Sequence, residues 1–352
     1  MKPISFRRLL KAAMSIAVAV GMTSLSSCHS IYEDEGDCTV HYRIAFRYTK
    51  NILNADAFAS QVSDIHLYLI DSNGKIVFQK TEQRKLTTEN NYYIDVDVFP
   101  GTYDILAWCE GQSSAPASVS FNIAGGSVPT TLTQLGAELP LTANSAAEPV
   151  SSNDIKPLFY GFSSSVEFPD SYGTVEIAPV SLTKDTNHFT VTLQNIDGHP
   201  IDPALLSFSI SGCNSQLSYA NELTGNTVFA YTPWYVRSLT ADFDTETRGT
   251  VADGNIPNGV QIEMTTGRLF AGVEQTFTVT RNDTGEEVLR IPLVQYLLLI
   301  RGYYEQATSN QDYLDRVDNY SLVFFIEDGF TWVKSKILIN NWRIVPPQIA
   351  EW

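Results

Sequence analysis

Residues 40–48 read Val-His-Tyr-Arg-Ile-Ala-Phe-Arg-Tyr. Val40, Tyr42, Ile44, Phe46 and Tyr48 fall on one face of an extended chain, with His41, Arg43 and Arg47 on the other. A period of two describes a strand with one face in a core and one in water. The pattern recurs along the chain. Ile65, Leu67 and Leu69 repeat it, and Asn73-Gly74 then forms a tight-turn pair before Lys75-Ile76-Val77-Phe78, a hairpin signature. Asp71-Ser72-Asn73-Gly74 reads as turn chemistry. Tyr92, Ile94, Val96 and Val98 alternate with Asp95 and Asp97. Pro100-Gly101 turns the chain into Tyr103, Ile105 and Ala107, and Val119, Phe121 and Ile123 follow. Short strands punctuated by turn residues predict an all-β sandwich.

A polar, small-residue stretch, Thr142–Asn153, suits a loop near a domain junction, and a second β series follows it. Phe189, Val191 and Leu193 alternate, as do Leu206, Phe208 and Ile210, then Val260, Ile262 and Met264. Phe277 and Val279 lead through Asn282-Asp283-Thr284-Gly285 into Val288–Ile291. Pro292 suits the first turn of a helix, and Leu293, Tyr296, Leu297, Ile300 and Tyr304 share one helical stripe, read as core. Tyr320–Ile326 and Lys336–Val345 are the last strands, before Pro346-Pro347. The expected organisation is two β-sandwich domains in tandem, 38–150 and 151–352, with one short helix in the second.

The start of the chain has a different character. Lys2, Arg7, Arg8 and Lys11 precede the apolar run Ala12–Val20, which ends at Leu25-Ser26-Ser27-Cys28. A basic start, a short apolar core and small residues before a break predict a secretory signal over 1–27. The run is shorter than the roughly 20 apolar residues of a spanning helix. Leu-Ser-Ser-Cys resembles a bacterial lipobox, which implies cleavage between Ser27 and Cys28 and a lipid on Cys28. Residues 28–37 then form an acidic tether, and 29–37 span at most roughly 30 Å, so the folded body sits close to a membrane.

Without residues 1–27 the chain carries 19 Lys+Arg against 39 Asp+Glu, a balance of −20. That charge argues against nucleic-acid binding through phosphates and against electrostatic adhesion to an anionic bilayer. Of the remaining cysteines, Cys38 and Cys109 are a candidate disulfide in an oxidising envelope, with free thiols as the alternative, and Cys213 reads as a small buried hydrophobe. His29, His41, His66, His188 and His199 make no metal-ligand spacing, and there is no nucleophile elbow, phosphate loop or dinucleotide fingerprint. No catalytic residue, metal or cofactor is expected, and the chain does not read as an enzyme. Asp312, Asp315 and Asp318 invite a metal reading, but solvated loop carboxylates fit better because cation loops are spaced differently.

Several segments in series resemble the FimB-type fimbrial anchor lipoproteins of Bacteroidales (the fimbrillin-associated anchors). They are Cys28-His-Ser-Ile-Tyr-Glu-Asp-Glu-Gly-Asp-Cys38, Phe46-Arg-Tyr-Thr-Lys-Asn51, Val62-Ser-Asp-Ile-His-Leu-Tyr-Leu-Ile-Asp71 and Phe99-Pro-Gly-Thr-Tyr103. Pro157-Leu-Phe-Tyr-Gly161, Gln311-Asp-Tyr-Leu-Asp-Arg316 and Ile337-Leu-Ile-Asn-Asn-Trp-Arg-Ile-Val345 complete the series. The resemblance implies two transthyretin-like or Ig-like sandwiches in a lipid-anchored outer-membrane protein. It also implies a role in attaching a surface fimbria and limiting its length, with the shaft subunit and accessory subunits as partners. Glu33-Asp34-Glu35 is either a surface-export signal of such bacteria or a solvated tether.

Fimbriae of this class are thought to grow by strand exchange, a form of β-augmentation. The first strand lies just after the lipid site, so cutting beyond it would sever the body from its anchor. The groove therefore stays filled, and the free end is the C-terminal one. Lys336–Val345 is the candidate donor: Ile337 and Ile339 form one apolar set, and Trp342 and Ile344 continue it after a phase change at Asn340-Asn341, read as a bulge or a bend. The competing reading is a closing strand in its own domain. A glycan-binding or adhesive accessory protein on the same fold is the alternative function, with Trp234-Tyr235 or Tyr303-Tyr304 as an aromatic platform; aromatics are more often core.

Overall fold

The computed structural model describes residues 40–113, 115–143, 148–239 and 258–344. Internal contacts divide the chain into two units. Of the smaller, only residues 40, 41 and 170–175 are described; the body comprises Tyr42–Pro169 and Glu176–Trp352.

The first strands are β1 (Val40–Arg47), β2 (Val62–Ile70), β3 (Ile76–Gln83), β4 (Tyr93–Val96), β5 (Gly101–Gly111), β6 (Leu158–Phe168) and β7 (Gly173–Ser181), with one helical turn, α1 (Phe58–Gln61), before β2. One sheet runs β3-β2-β5-β6 and ends on the short strand Thr183–Lys184; a second runs β4-β1-β7. Tyr42, Ile44 and Phe46 of β1 are fully buried, as the alternation predicts. They face β6: the Tyr42 ring meets Phe168 edge-on at 5.0 Å, and Tyr48 meets Phe159 at 5.1 Å. Gly161 is required there, because a Cβ would lie 2.6 Å from Val180 and 2.7 Å from Leu182. The Asn73-Gly74 turn forms as expected, with Asp71 Oδ1 accepting from the Asn73 and Lys75 amides at 2.9 Å and Gly74 at φ 76°.

The later strands are β8 (Thr186–Asn195), β9 (Leu206–Gly212), β10 (Phe229–Tyr231), β11 (Tyr235–Leu239), β12 (Gly259–Gly267), β13 (Thr276–Arg281) and β14 (Glu287–Pro292). Helices α2 (Leu293–Leu298) and α3 (Asn310–Arg316) separate these from β15 (Asn319–Glu327), β16 (Thr331–Ile339) and β17 (Trp342–Ile344). A six-stranded sheet, β11-β12-β8-β15-β16-β17, packs on a five-stranded one, β14-β13-β9-β10 plus Val150–Ser151. Phe277 and Phe324 stack between them at 5.5 Å. β8 and β15 pair in parallel from His188↔Asn319 to Asn195↔Ile326, so the last third of the chain returns to the middle of the sheet that opens the second series. The stripe after Pro292 is core, with Leu293, Leu297 and Ile300 fully buried.

The structure departs from the sequence reading in four places. First, β5 is buried on both faces: Ile105 through Cys109 are all inaccessible, because the segment around Phe121–Leu139 and the second sheet pair cover the face expected to be wet. Trp108 lies in one apolar cluster with Phe121, Leu135, Phe189 and Leu217 and donates its indole N–H to the Leu135 carbonyl at 3.0 Å. Second, Lys336–Val345 is not one bent strand. Asn340 and Asn341, at φ 47° and 67°, form a two-residue hairpin turn between β16 and β17. Left-handed residues at both central positions suit the twist of a tight hairpin. Third, Asp312 and Asp315 lie on α3 and not in a loop, and Asp315 is buried. Fourth, Val150–Ser151 of the expected loop Thr142–Asn153 forms a short strand parallel to β10.

Candidate functional site

The C-terminal hairpin is built so that both its strands show the same face to the core. A two-residue turn places Ile337 opposite Ile344 and Ile339 opposite Trp342. Facing partners of an antiparallel pair lie on one side of the sheet. The apolar set therefore continues through the turn, which accounts for the phase change at Asn340-Asn341. Ile337 and Ile339 are fully buried and Ile344 nearly so, whereas Trp342 keeps 44 % of its surface exposed. Its ring lies flat on Tyr303, 4.0 Å between centroids and 7° between planes. Asn340 fixes the hairpin to the sheet: its amide donates to the Ser321 carbonyl and its Oδ1 accepts from the Ser321 amide, both at 2.8 Å. β17 ends the sheet, so among the described residues its outer edge carries no partner strand.

Near the start of the described chain, Tyr42–Arg47 of β1 lies between two strands of its sheet, and the Arg47 carbonyl accepts from the Leu182 amide at 2.8 Å. The groove of the first sheet pair is thus occupied by the chain's own early strand. Ser27, Cys28 and Cys38 lie outside the described residues. Cys109 is buried in the middle of β5 as a free thiol among the described residues, and its burial pushes the thiol pKa up. Cys213 is a half-buried free thiol.

The acidic series belongs to a polar junction that sequence reasoning missed. Arg268, just after β12, grips Asp315 of α3 with two hydrogen bonds of 3.0 Å, and its third nitrogen donates to the Asn221 carbonyl at 2.8 Å. Lys50, just after β1, reaches the same carboxylate at 2.6 Å. Gln311 donates to Asp315 and to the Leu269 carbonyl and accepts from the Ala271 amide. Against the burial that would raise it, these partners hold the Asp315 carboxyl below its ordinary range. Asp185 lies 3.5 Å from Arg268, is fully buried, and has one oxygen with no partner among the described residues. Burial pushes its pKa up to about 7, against the opposing pull of Arg268. Lys184 pairs with Asp318, and Arg316 with Asp312 at 3.1 Å. Asp315 and Asp318 are thus clasps between the early and late segments, whereas Asp312 pairs within α3. The missed local signal was Ser309 three residues before Asp312, an N-cap that accepts from the Asp312 amide at 3.0 Å and starts α3.

Of the platform candidates, Trp234 is half-buried and donates to Thr265 at 3.2 Å, while Tyr235 is 43 % exposed. Tyr304 packs against Tyr313, and Tyr303 pairs with Trp342. Among the described residues no three His, Cys, Asp or Glu side chains gather into a metal-holding group, and no helix is long and apolar enough to cross a membrane.

These features define a mostly-β protein of packed sheets with few short helices, and its structural neighbours are adhesin-like and Mfa2-like β-sandwich proteins. The chain belongs to the family of fimbrillin-A associated anchor proteins Mfa1 and Mfa2, whose model matches residues 34–346. Among solved structures, it is similar to an adhesin-like protein of Bacteroides thetaiotaomicron VPI-5482, at 28 % identity and TM-score 0.70, over 88 % of this chain and 99 % of that one. A second protein of that organism, described as polysaccharide-binding, matches at 26 % and 0.70 over the same shares. The fimbrial anchor protein Mfa2 of Porphyromonas gingivalis shares the fold at 19 % identity and TM-score 0.61, over 88 % and 99 %. No curated protein sequence matches the chain. The family places this protein among the fimbria-associated proteins of the cell surface, with an accessory or anchor role.

Proposed function

We propose that the protein is an outer-membrane lipoprotein that holds the base of a strand-exchange fimbria and limits its length. Residues 1–27 are removed, Cys28 carries the lipid, and the tether 28–37 keeps the folded body near the bilayer. The folded body stands between that fixed end and a C-terminal segment, 336–345, that passes to the basal shaft subunit. The role is structural and needs no cofactor.

The observation that carries this reading is the position of the C-terminal hairpin. It is the last element of its sheet and, among the described residues, has an open edge, and Ile337, Ile339, Trp342 and Ile344 form one continuous apolar row. Leaving the sheet costs the burial of Ile337, Ile339 and Ile344, at about 1.5–3 kcal/mol each. Seating the same row in a complementary groove offsets that cost, so the step is an exchange between two similar environments. The buried β1 supports the same direction, because among the described residues it already lies between two strands of its sheet.

A cross-link tests it. Val323 and Leu338 are facing partners of β15 and β16. Such Cα atoms lie about 4.5–5.5 Å apart, within the span of a disulfide. Val323→Cys with Leu338→Cys, oxidised, is expected to leave the protein on the membrane but release fimbriae into the medium, and reductant is expected to restore their retention. Normal fimbriation with the cross-link formed would rule out donation of this segment. In the same cells, Cys28→Ser is expected to shed protein and fimbriae together, and unchanged membrane fractionation would rule out the lipid anchor.

A further inference from the structure

The outer face of the sheet β4-β1-β7 carries a trough that neither the lipid anchor nor the C-terminal hairpin uses. Its volume is about 660 Å³. That falls within the range of small-ligand sites, roughly 300–1,000 Å³. The outward residues of β1 run Arg43, Ala45, Arg47, and β7 contributes Ala178; the two small side chains leave the floor low between the arginines. Tyr93 stands opposite Ala45 across the β1–β4 pairing and keeps 41 % of its surface exposed. The Arg43 guanidinium lies 4.5 Å from the centre of the Tyr93 ring and pairs with Asp95 at 2.9 Å, which fixes this wall. Arg47, Asn91, Tyr93 and Ala178 are all exposed, so a ligand in the trough reaches them directly.

Charge sets the chemistry. Arg43 is committed to Asp95, whereas the Arg47 side chain has no hydrogen-bond or ion-pair partner among the described residues. Two carboxylates also line the trough. Asp56 is taken up by its own loop, accepting from the Tyr48 and Phe58 amides at 3.0 and 3.1 Å and from the Asn90 side chain at 2.7 Å. Glu176 acts on Arg43, whose pKa Asp95 first and Glu176 after it hold above the ordinary value. The lining thus carries two cations and two anions, with one guanidinium left unpaired. A dianion such as a phosphate monoester would overfill that single cation, in a chain whose formal charge is already −16. A cation would face Arg47. One carboxylate matches the planar fork of one guanidinium and takes two parallel hydrogen bonds from it. The Asn91 amide and the Tyr93 hydroxyl then suit a neutral, hydroxyl-rich body, since each hydroxyl both donates and accepts.

We propose that this trough binds a sugar bearing one carboxylate, with the carboxylate on the Arg47 guanidinium and the hydroxyls toward Asn91 and Tyr93. The site shares no residue with the C-terminal hairpin, so it adds a binding activity to the anchor.

The test titrates the purified full-length protein with methyl glucuronoside, methyl galacturonoside and N-acetylneuraminate, read by saturation-transfer NMR and calorimetry. Salt is held at about 0.15 M, where long-range repulsion from the acidic chain is screened. Methyl glucoside, glucose 6-phosphate and triglutamate serve as neutral, phosphorylated and peptide comparators. At least one carboxylated sugar is expected to bind with a dissociation constant on the order of millimolar. Arg47→Gln is expected to weaken it about tenfold, the loss of a charge-assisted pair. Ala178→Phe fills the floor from an exposed position and is expected to abolish binding. Arg237→Gln removes the same charge from an exposed site outside the trough and is expected to leave binding unchanged. Failure of every carboxylated sugar to bind, binding unchanged in Arg47→Gln or in Ala178→Phe, or an equal loss in Arg237→Gln would each overturn the assignment. Tighter binding of glucose 6-phosphate would overturn it in favour of a phosphate site, and tighter binding of triglutamate in favour of an acidic-peptide surface.

Discussion

Arg268→Ala is expected to destabilise the protein by about 3–5 kcal/mol, read as a lower denaturation midpoint in urea. The substitution strips Asp315 of its bidentate partner and leaves Asp185, fully buried 3.5 Å away, with only the more distant Lys50 as an opposing charge. Removing one partner of a buried ionic set costs more than the set contributes, because the orphaned charge keeps its desolvation penalty. Asp185→Asn in the same chain is therefore expected to restore part of the loss. Proton linkage gives a second readout. The folded-state pKa of Asp185, about 7, lies above the ordinary value of 3.8. Between those two values the folded state holds the proton more tightly than the unfolded chain. The contribution of Asp185 is thus fully present below the unfolded pKa and is lost as pH rises through 7. The stability difference between Asp185→Asn and the native chain should grow in favour of the variant from pH 5.5 to 8. A difference independent of pH would mean that Asp185 is ionised throughout.

Deleting residues 336–352 is the second large effect. It removes Ile337, Ile339 and Ile344 from the core and uncovers the β15 residues Leu322 and Phe324 that pair with Ile339 and Ile337. At about 1.5–3 kcal/mol per buried side chain, the loss reaches roughly 4–9 kcal/mol. The whole stability of a domain is on the order of 5–15 kcal/mol. The truncated chain is therefore expected to fold poorly and to lose fimbriae through instability as well as through any missing donor. A truncated protein with an unchanged melting midpoint would show that the hairpin adds little to its own sheet. The Val323–Leu338 cross-link separates these effects, since it keeps Ile337, Ile339 and Ile344 in the core.

What the sequence revealed was local. The alternation in Val40–Tyr48 and Phe189–Leu193, the Asn73-Gly74 turn and the buried stripe after Pro292 all follow from a period or a turn preference within a few residues. The pairing of β8 with β15 was hidden, because a parallel partner more than a hundred residues away leaves no mark on either strand. Leu106 and Trp108 were legible in principle: the unbroken run Ile105-Leu-Ala-Trp-Cys109 is the signature of a strand buried on both faces. The ionic junction was invisible for a stronger reason. Lys50, Asp185, Arg268 and Asp315 are each unremarkable alone, and only the folded chain brings two bases and two acids into one dry space.

The hairpin and the parallel pair respond differently to tension. A pull applied beyond Ile344 loads the rungs between β17 and β16 one after another, as in opening a zip. The same force reaching β15 meets eight parallel rungs to β8, from His188↔Asn319 to Asn195↔Ile326, loaded together in shear. The molecule therefore has a weak link at its outer rim and a strong one at its centre. Under drag from a filament, the terminal strand would yield first while the sheet behind it holds.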